Sequence, residues 1–133
     1  MQTHRSGGIL YKELSYALVG CAQRVHSELG PGFPEKVYDK ALAHELAKAG
    51  IAFQAQARFE VSYDGIACGE FRVDFYVDGK IIVEIKAAEA ICKQHEAQVL
   101  AYLKASGAHL AILLNFGEAS LRVKRFVSKG VVL

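Results

Sequence analysis

Alternating apolar and polar positions between Gly69 and Lys86 predict two consecutive β-strands, because successive side chains of a strand point to opposite faces. The first strand puts Glu70, Arg72, Asp74 and Tyr76 on one face and Phe71, Val73, Phe75 and Val77 on the other. The second puts Ile82, Glu84 and Lys86 opposite Ile81, Val83 and Ile85. Asp74, Glu84 and Lys86 therefore interrupt apolar strands. Burying such charges costs free energy unless they pair or bind a cation, which is the first indication of a site.

The turn at Asp78-Gly79 decides whether the two carboxylates share a face. Paired residues of an antiparallel ladder lie on the same face. A two-residue loop would pair Asp74 with Val83 and put Asp74 and Glu84 on opposite faces. A three-residue loop, Val77-Asp78-Gly79 with a left-handed glycine, or an equivalent bulge, puts them on one face. A shared site therefore predicts the longer loop.

Two helices are predicted before these strands. Residues 9–29 carry apolar side chains with amphipathic-helix spacing, and Gly30-Pro31-Gly32 ends that helix. Pro34 suits the first turn of a second helix, which extends to about Lys48. The apolar positions are Leu10, Leu14, Ala17, Leu18, Cys21, Val25 and Leu29 in the first helix, and Tyr38, Leu42 and Leu46 in the second.

The remaining pattern predicts a mixed α/β fold. Strands are expected over residues 53–63, 66–77 with a bend near Gly69, and 121–127, and a helix over residues 89–105. The continuous apolar run at residues 108–115 is typical of a strand buried on both faces, and it follows a strand and a helix. A right-handed parallel crossover is therefore expected. The predicted order is ααβββαββ: an antiparallel meander plus a parallel crossover, flanked by helices.

Composition restricts the protein class more than the function. The 133 residues suit a single domain over 1–133, and 52% hydrophobic with 23% charged residues is the balance of a soluble globular protein. A net charge of +2 does not by itself indicate a nucleic-acid binder. No apolar run predicts a membrane span. Three widely separated cysteines without a C-x-x-C pair favour reduced thiols and a cytoplasmic location.

Glu35 allows two interpretations. It lies three residues before Tyr38 and seven before Leu42, and so shares their helix face. It is either a first-turn glutamate favoured by the helix dipole, or a carboxylate aimed at the same site as Asp74 and Glu84. In the second case, three acidic side chains from two strands and a helix would converge on one point.

Four short motifs together resemble a known superfamily. Asp74 followed by Glu84-Ile85-Lys86 resembles the D…E-x-K signature of PD-(D/E)XK nucleases, with Val73 where the signature has proline. Gln98-Val-Leu-Ala-Tyr102 resembles the Q-x-x-x-Y motif of RecB-like members. Gly32-Phe-Pro-Glu35-Lys-Val-Tyr38 is similar to the motif of the GxxExxY proteins, a family within that superfamily. The resemblance covers about residues 9–127.

The resemblance implies a restriction endonuclease-like three-layer fold and a nuclease that uses Mg²⁺, or Mn²⁺, to hydrolyse phosphodiester bonds in DNA or RNA. It implies that Asp74, Glu84 and the Ile85 carbonyl hold the ion, with Glu35 acting through a metal-bound water or a second ion. It implies that Lys86 orients or activates the attacking water. Gln98 and Tyr102 would contact Lys86 or a substrate phosphate.

Alternatives remain open at this point. The charged strand residues could form an internal salt-bridge cluster on a solvated face. Gln98 and Tyr102 could be ordinary helix surface and core edge, and Tyr38 favours packing over chemistry. The fold could also carry a catalytically inactive nucleic-acid-binding or protein-interaction module, or a purely structural domain. No sequence-reading module is evident, so a homodimer or a partner protein would suit so small a domain.

Overall fold

A computed structural model describes residues 9–129 of the chain. Its eight elements occur in the predicted order ααβββαββ, which confirms the fold class. The helices are α1 (Lys12–Leu29), α2 (Glu35–Lys48) and α3 (Lys93–Ser106). The strands are β1 (Phe53–Tyr63), β2 (Ile66–Val77), β3 (Ile81–Lys86), β4 (Leu110–Asn115) and β5 (Arg122–Val127).

Helix boundaries differ from the predicted ones for local reasons. Helix α2 begins at Glu35, because Pro34 is extended at ψ 157° and precedes the first turn. Helix α3 begins at Lys93 rather than near residue 89. Cys92 and His95 form a reciprocal capping pair there, in which the His95 ring accepts the Cys92 N–H at 3.2 Å.

One five-stranded sheet has the order β1-β2-β3-β4-β5. Strands β1, β2 and β3 form an antiparallel meander, β3 and β4 are parallel, and β4 and β5 are antiparallel. Helix α3 makes the crossover between the two parallel strands. Strand β4 is buried throughout its length, as its continuous apolar run predicted.

Two apolar clusters on opposite sides of the sheet make three layers. Strand β3 divides its side chains between them, because Ile81, Val83 and Ile85 pack with α1 and α2 while Ile82 packs with α3. The first cluster includes Leu18, Val25, Tyr38, Leu42, Phe75, Ile112 and Phe116. The second includes Val73, Val99, Leu103, Leu113 and Phe126.

The strict alternation predicted for β2 is wrong at Asp74. Val73 and Phe75 are two residues apart, yet Val73 belongs to the α3 cluster and Phe75 to the α1–α2 cluster. The register of β1 and β2 places Gln56 opposite Asp74, and Gln56 has a left-handed backbone with φ 53°. A left-handed non-glycine residue is uncommon in a strand. The apolar side chains of β2 therefore move from one face of the sheet to the other at this point. The periodicity of the sequence did not predict this change.

The β2–β3 loop has the predicted length but lies one residue later. Val77 pairs with Ile81, which leaves Asp78-Gly79-Lys80 as a three-residue loop. Asp78 and Gly79 are left-handed, with φ 52° and φ 63°, and the Val77 carbonyl accepts the Lys80 N–H at 2.9 Å. Continued by one residue from Phe75 opposite Val83, this register brings Asp74 opposite Glu84.

Asn115 attaches the segment after β3 to the end of β4. Its buried amide accepts the Ala88 N–H at 2.9 Å, donates to the Ala88 carbonyl at 3.0 Å and donates to Glu118 at 2.8 Å. Gly117 completes this approach, because a Cβ atom there would lie 2.3 Å from the Ala88 oxygen. The chain that follows Lys86 is thus fixed by backbone and amide contacts.

Asn115→Ala is expected to lower the free energy of unfolding by about 3 kcal/mol. The substitution leaves the N–H and the carbonyl of the half-buried Ala88 without partners, and each unsatisfied buried group costs about 1–3 kcal/mol. Urea denaturation measures the change. Gln94→Ala removes an exposed amide and serves as the control; equal stability of the two variants would contradict this role for Asn115.

Candidate active site

Asp74 and Glu84 lie where β2 and β3 separate, and we call this pair the carboxylate fork. The Asp74 N–H donates to Glu84 Oε2 at 2.8 Å, and the Ile85 N–H donates to Asp74 Oδ2 at 2.7 Å. Phe75 and Val83 are the last paired residues of the β2–β3 ladder, and they are the chain neighbours of Asp74 and Glu84. Each carboxylate therefore takes a backbone hydrogen bond from the opposite strand, which fixes both side chains without a cationic partner.

The fork places two carboxyl groups side by side where water is partly excluded. Burial, and then the charge of Asp74, raise the pKa of Glu84 to about 8. Burial also raises the pKa of Asp74, although the hydrogen bond from Ile85 opposes the change. Glu84 is only 6% exposed. Two adjacent carboxylates that resist ionisation together form a site that a cation would stabilise.

Lys86 is the nearest positive charge but does not neutralise the fork. Its charge opposes the rise in pKa of both Asp74 and Glu84. Its ammonium instead donates to Gln98 Oε1 of α3 at 3.3 Å and makes no ion pair with any side chain between residues 9 and 129. Gln98 therefore contacts Lys86, as the resemblance implied. The alternative of an internal salt-bridge cluster around Lys86 does not occur among the described residues.

The Ile85 backbone faces the fork as well. The N–H and the carbonyl of one residue point to the same edge of an extended strand, because a paired residue exchanges both bonds with one partner. The Ile85 N–H reaches Asp74 of β2. Its carbonyl is therefore directed towards the same gap between the strands.

The expected convergence of three carboxylates is wrong. Within residues 9–129, no three histidine, cysteine, aspartate or glutamate side chains lie close enough together to hold one metal ion. Glu35 is exposed at the start of α2, and its charge makes only the smallest contribution to the raised pKa of Glu84. Helix α2 packs with α1 on the face of the sheet opposite α3.

Asp39 and Gln56 join the site, and the sequence interpretation missed them. The amide nitrogen of Gln56 lies 3.5 Å from Asp39 Oδ2 and 3.5 Å from Asp74 Oδ1. Burial, and then the charge of Asp74, raise the pKa of Asp39. Asp39 follows Glu35 by four residues, so the helix spacing could have found it. Nothing in the sequence indicated Gln56, whose position depends on its left-handed backbone.

Tyr102 contributes packing and borders the fork. Its ring stacks on Phe71 with centroids 4.3 Å apart, and Phe71 stacks in turn on Phe59 at 5.5 Å. Burial, and then the charges of Glu84 and Asp74, raise the pKa of the Tyr102 phenol. The hydroxyl is thus near the carboxylates, while the ring belongs to the aromatic layer between α3 and the β1–β2 hairpin.

Tyr38 supports the loop before Glu35. The ring is fully buried and stacks on Phe116 at 4.7 Å. Its hydroxyl donates to the Gly30 carbonyl at 2.6 Å and accepts the Phe33 N–H at 3.1 Å. Both ends of the Gly30–Phe33 turn are therefore attached to one tyrosine, which makes Tyr38 a structural residue that positions the start of α2.

Tyr38→Phe is expected to destabilise the protein by about 1–3 kcal/mol. The variant keeps the stacked ring but leaves a carbonyl and an N–H of the turn without their partner. Thermal or urea unfolding measures the loss. Tyr63→Phe, which removes the hydroxyl of a side chain that is 76% exposed, should leave stability unchanged; a Tyr38→Phe variant as stable as that control would contradict the assignment.

A family model described as the PD-(D/E)XK nuclease superfamily matches residues 12–126, the span that contains the fork, Lys86 and all three helices. The chain belongs to the PD-(D/E)XK nuclease superfamily. The superfamily indicated by the D…E-x-K resemblance is thereby confirmed. No protein of curated function is similar enough to count as a match.

Two solved structures resemble this PD-(D/E)XK superfamily member. One, described as the crystal structure of SSO0001, has a TM-score of 0.55 at 20% identity over 89% of this chain and 58% of that chain. An alkaline exonuclease from Laribacter hongkongensis has a TM-score of 0.47 at 11% identity, over 89% of this chain and 82% of its own. The first likeness supports the fold, and this chain spans little more than half the length of that protein.

A cavity elsewhere in the structure is separate from the fork. A cavity of about 580 Å³ lies at the opposite end of the parallel strands, between Gly107, His109 and Val127, away from the superfamily motif. The fork is instead bordered by Tyr102 of α3 and is linked through Gln56 to Asp39 of α2. None of the helices between residues 9 and 129 is both long and apolar enough to cross a membrane.

Proposed function

We propose that this chain is a nuclease that hydrolyses phosphodiester bonds with a divalent cation held at the carboxylate fork. The observation that carries the proposal is the pair of reciprocal bonds between β2 and β3. They hold the half-buried Asp74 and the buried Glu84 side by side, and neither carboxylate forms an ion pair with a side chain between residues 9 and 129. Membership of the superfamily supports the same conclusion.

The residues at the fork fit Mg²⁺ or Mn²⁺. Both ions prefer oxygen ligands, and Mg²⁺ keeps several waters when only one or two carboxylates bind it. Asp74, Glu84 and the Ile85 carbonyl would supply the protein oxygens. A bound ion would neutralise charge on the phosphate and lower the pKa of a water molecule. Because two carboxylates suffice for such a site, the lack of a third carboxylate among the described residues does not count against it.

The other side chains would orient the reacting groups. Lys86, held by Gln98, would place its ammonium beside the attacking water and the scissile phosphate. Glu35 and Asp39 would accept hydrogen bonds from water on the α2 side, where Gln56 connects Asp39 to the fork. Tyr102 would border the phosphate from α3. No covalent intermediate with the protein is needed.

The proposed substrate is DNA, with RNA as the alternative. The Gly32, Glu35 and Tyr38 motif supports placement in the GxxExxY family. The competing function is a nucleic-acid-binding module that has lost catalysis. Retention of Asp74, Glu84 and Lys86 around one gap favours the enzyme, since a module needs none of their chemistry.

Incubation with a panel of nucleic acids tests the proposal. Circular plasmid, linear duplex, branched DNA, single-stranded DNA and RNA are each incubated with Mg²⁺, with Mn²⁺ or with EDTA. Products are expected with a divalent ion and none with EDTA. Binding without cleavage in every metal would favour the module, and neither binding nor cleavage would overturn both functions.

A further inference from the structure

Phe33 is an exposed aromatic residue on the turn that leads into α2. Phe33 is 46% exposed. Single exposed apolar side chains are common and need no explanation by themselves. Two further features of this one, its rigidity and its position, make it informative.

Tyr38 fixes the Phe33 backbone by a hydrogen bond. Its N–H donates to the buried Tyr38 hydroxyl at 3.1 Å, and the same hydroxyl donates to Gly30 at 2.6 Å. The two aromatic rings meet edge-on at 6.2 Å. Pro31 and Pro34 restrict the turn further. The ring is therefore presented to solvent by a pre-organised loop, so that a ligand would bind it at little entropic cost.

The turn leads directly into α2, the helix that carries Asp39. Gln56 bridges Asp39 and Asp74, so the face of α2 that carries Asp39 is turned towards the fork. Glu35 lies on the same helix face one turn earlier, and Phe33 precedes it by two residues. A nucleic-acid strand that runs from the fork along this face of α2 would reach this ring.

A basic stripe lies next to the acidic one on α2. Lys36 and Lys40 are one turn apart and exposed, and neither forms an ion pair with another side chain in the described part of the chain. Such lysines suit a phosphate backbone. Together with Phe33 they combine an aromatic platform with a positively charged track, which is the arrangement that single strands prefer.

We infer that the substrate is single-stranded where it enters the site, as in a single strand, a flap or a frayed end, and that Phe33 stacks on an unpaired base. The inference rests on the proposed function for its placement of the phosphate. The faces of bases inside a duplex are covered by their neighbours, so only an unstacked base can lie against this ring. Lys36 and Lys40 contact the adjoining phosphates.

Fluorescence anisotropy tests the inference with Phe33→Ala and Phe33→Trp, both in a Lys86→Ala background that prevents cleavage. The probes are a single-stranded oligothymidine and a hairpin-closed duplex, compared at one salt concentration. Phe33→Ala is expected to weaken single-strand binding between about fivefold and about a hundredfold, the range for loss of one stacked base. Phe33→Trp should retain single-strand affinity, and duplex affinity should not change.

Tyr16→Ala is the matched control. Tyr16 is an aromatic residue of α1 that is 83% exposed and about 20 Å from the Phe33 end of that helix, at 1.5 Å per residue. Its loss should not affect binding. Replacing Lys36 or Lys40 with alanine should make the slope of log affinity against log salt concentration shallower. Each replacement should reduce the slope by the contribution of about one phosphate contact.

The outcomes separate this inference from the proposed function. Cleavage by the wild-type protein with equal single-strand affinity for Phe33→Ala and Tyr16→Ala would overturn the inference and leave the nuclease. If single-strand binding depends on Phe33 but the wild-type protein does not cleave, the inference is supported and the protein is a binding module. Equal loss of duplex and single-strand affinity in Phe33→Ala would overturn stacking as its cause.

Discussion

Lys86→Ala is expected to reduce phosphodiester cleavage by at least about a hundredfold while leaving the fold intact. The ammonium lies beside Asp74 and Glu84 without neutralising them, and Gln98 fixes it at 3.3 Å. A group in this position acts on the attacking water or on charge that develops at the phosphate, and such groups contribute about a hundredfold to ten-thousandfold. Single-turnover cleavage measures the loss.

Matched variants show whether that loss is specific. Lys48→Ala removes another lysine, which is 66% exposed at the end of α2, and should cleave at the wild-type rate. Gln98→Ala should have a smaller effect than Lys86→Ala, because it only frees the ammonium to move. Wild-type cleavage by Lys86→Ala would remove this lysine from the proposed mechanism.

Glu84→Gln is expected to make the metal-free protein more stable at pH 8. Burial, and then the charge of Asp74, raise the Glu84 pKa from 4.5 to about 8 in the folded state. The unfolded chain therefore loses this proton at lower pH than the folded chain does. The free energy of unfolding must fall as pH rises from 4.5 to 8, whereas a neutral glutamine has no such dependence.

The size of this effect follows from the change in pKa. Each pKa unit corresponds to about 1.4 kcal/mol, so the wild-type protein should lose about 4 kcal/mol between pH 5 and pH 8 through this group. Urea denaturation in EDTA at several pH values measures the difference. Glu28→Gln, an exposed change on α1, should follow the wild type. Parallel pH profiles for Glu84→Gln and wild type would show that the fork carries no such charge.

Most of the fold could be predicted because local patterns and global topology agree. The run at residues 108–115 is typical of a strand buried on both faces, and residues 110–115 of it form β4. Helix α3 ends at Ser106, one residue after the predicted end, and Gly107 follows it in a left-handed conformation with φ 75°. The requirement that Asp74 and Glu84 share a face gave the correct loop length. Each of these features depends on residues close in sequence.

The incorrect expectations concern relations between distant residues. Gln56 adopts a left-handed backbone opposite Asp74, which moves the apolar side chains of β2 from one sheet face to the other. Period-two counting assumes that no such change occurs. The distance from Glu35 to the fork depends on how α2 packs on the sheet. Asp39 reaches the site through the same packing, so helix periodicity alone favoured neither carboxylate.

Titration with Mn²⁺ tests most directly the central claim that the fork binds a divalent cation, because it measures cation binding without a substrate. Water-proton relaxation at pH 8 is measured for the wild type, Asp74→Asn, Glu84→Gln and the control Glu28→Gln. One Mn²⁺ site is expected in the wild type and in Glu28→Gln, and none in either fork variant. Undiminished Mn²⁺ binding by Asp74→Asn and Glu84→Gln would contradict a metal site between β2 and β3.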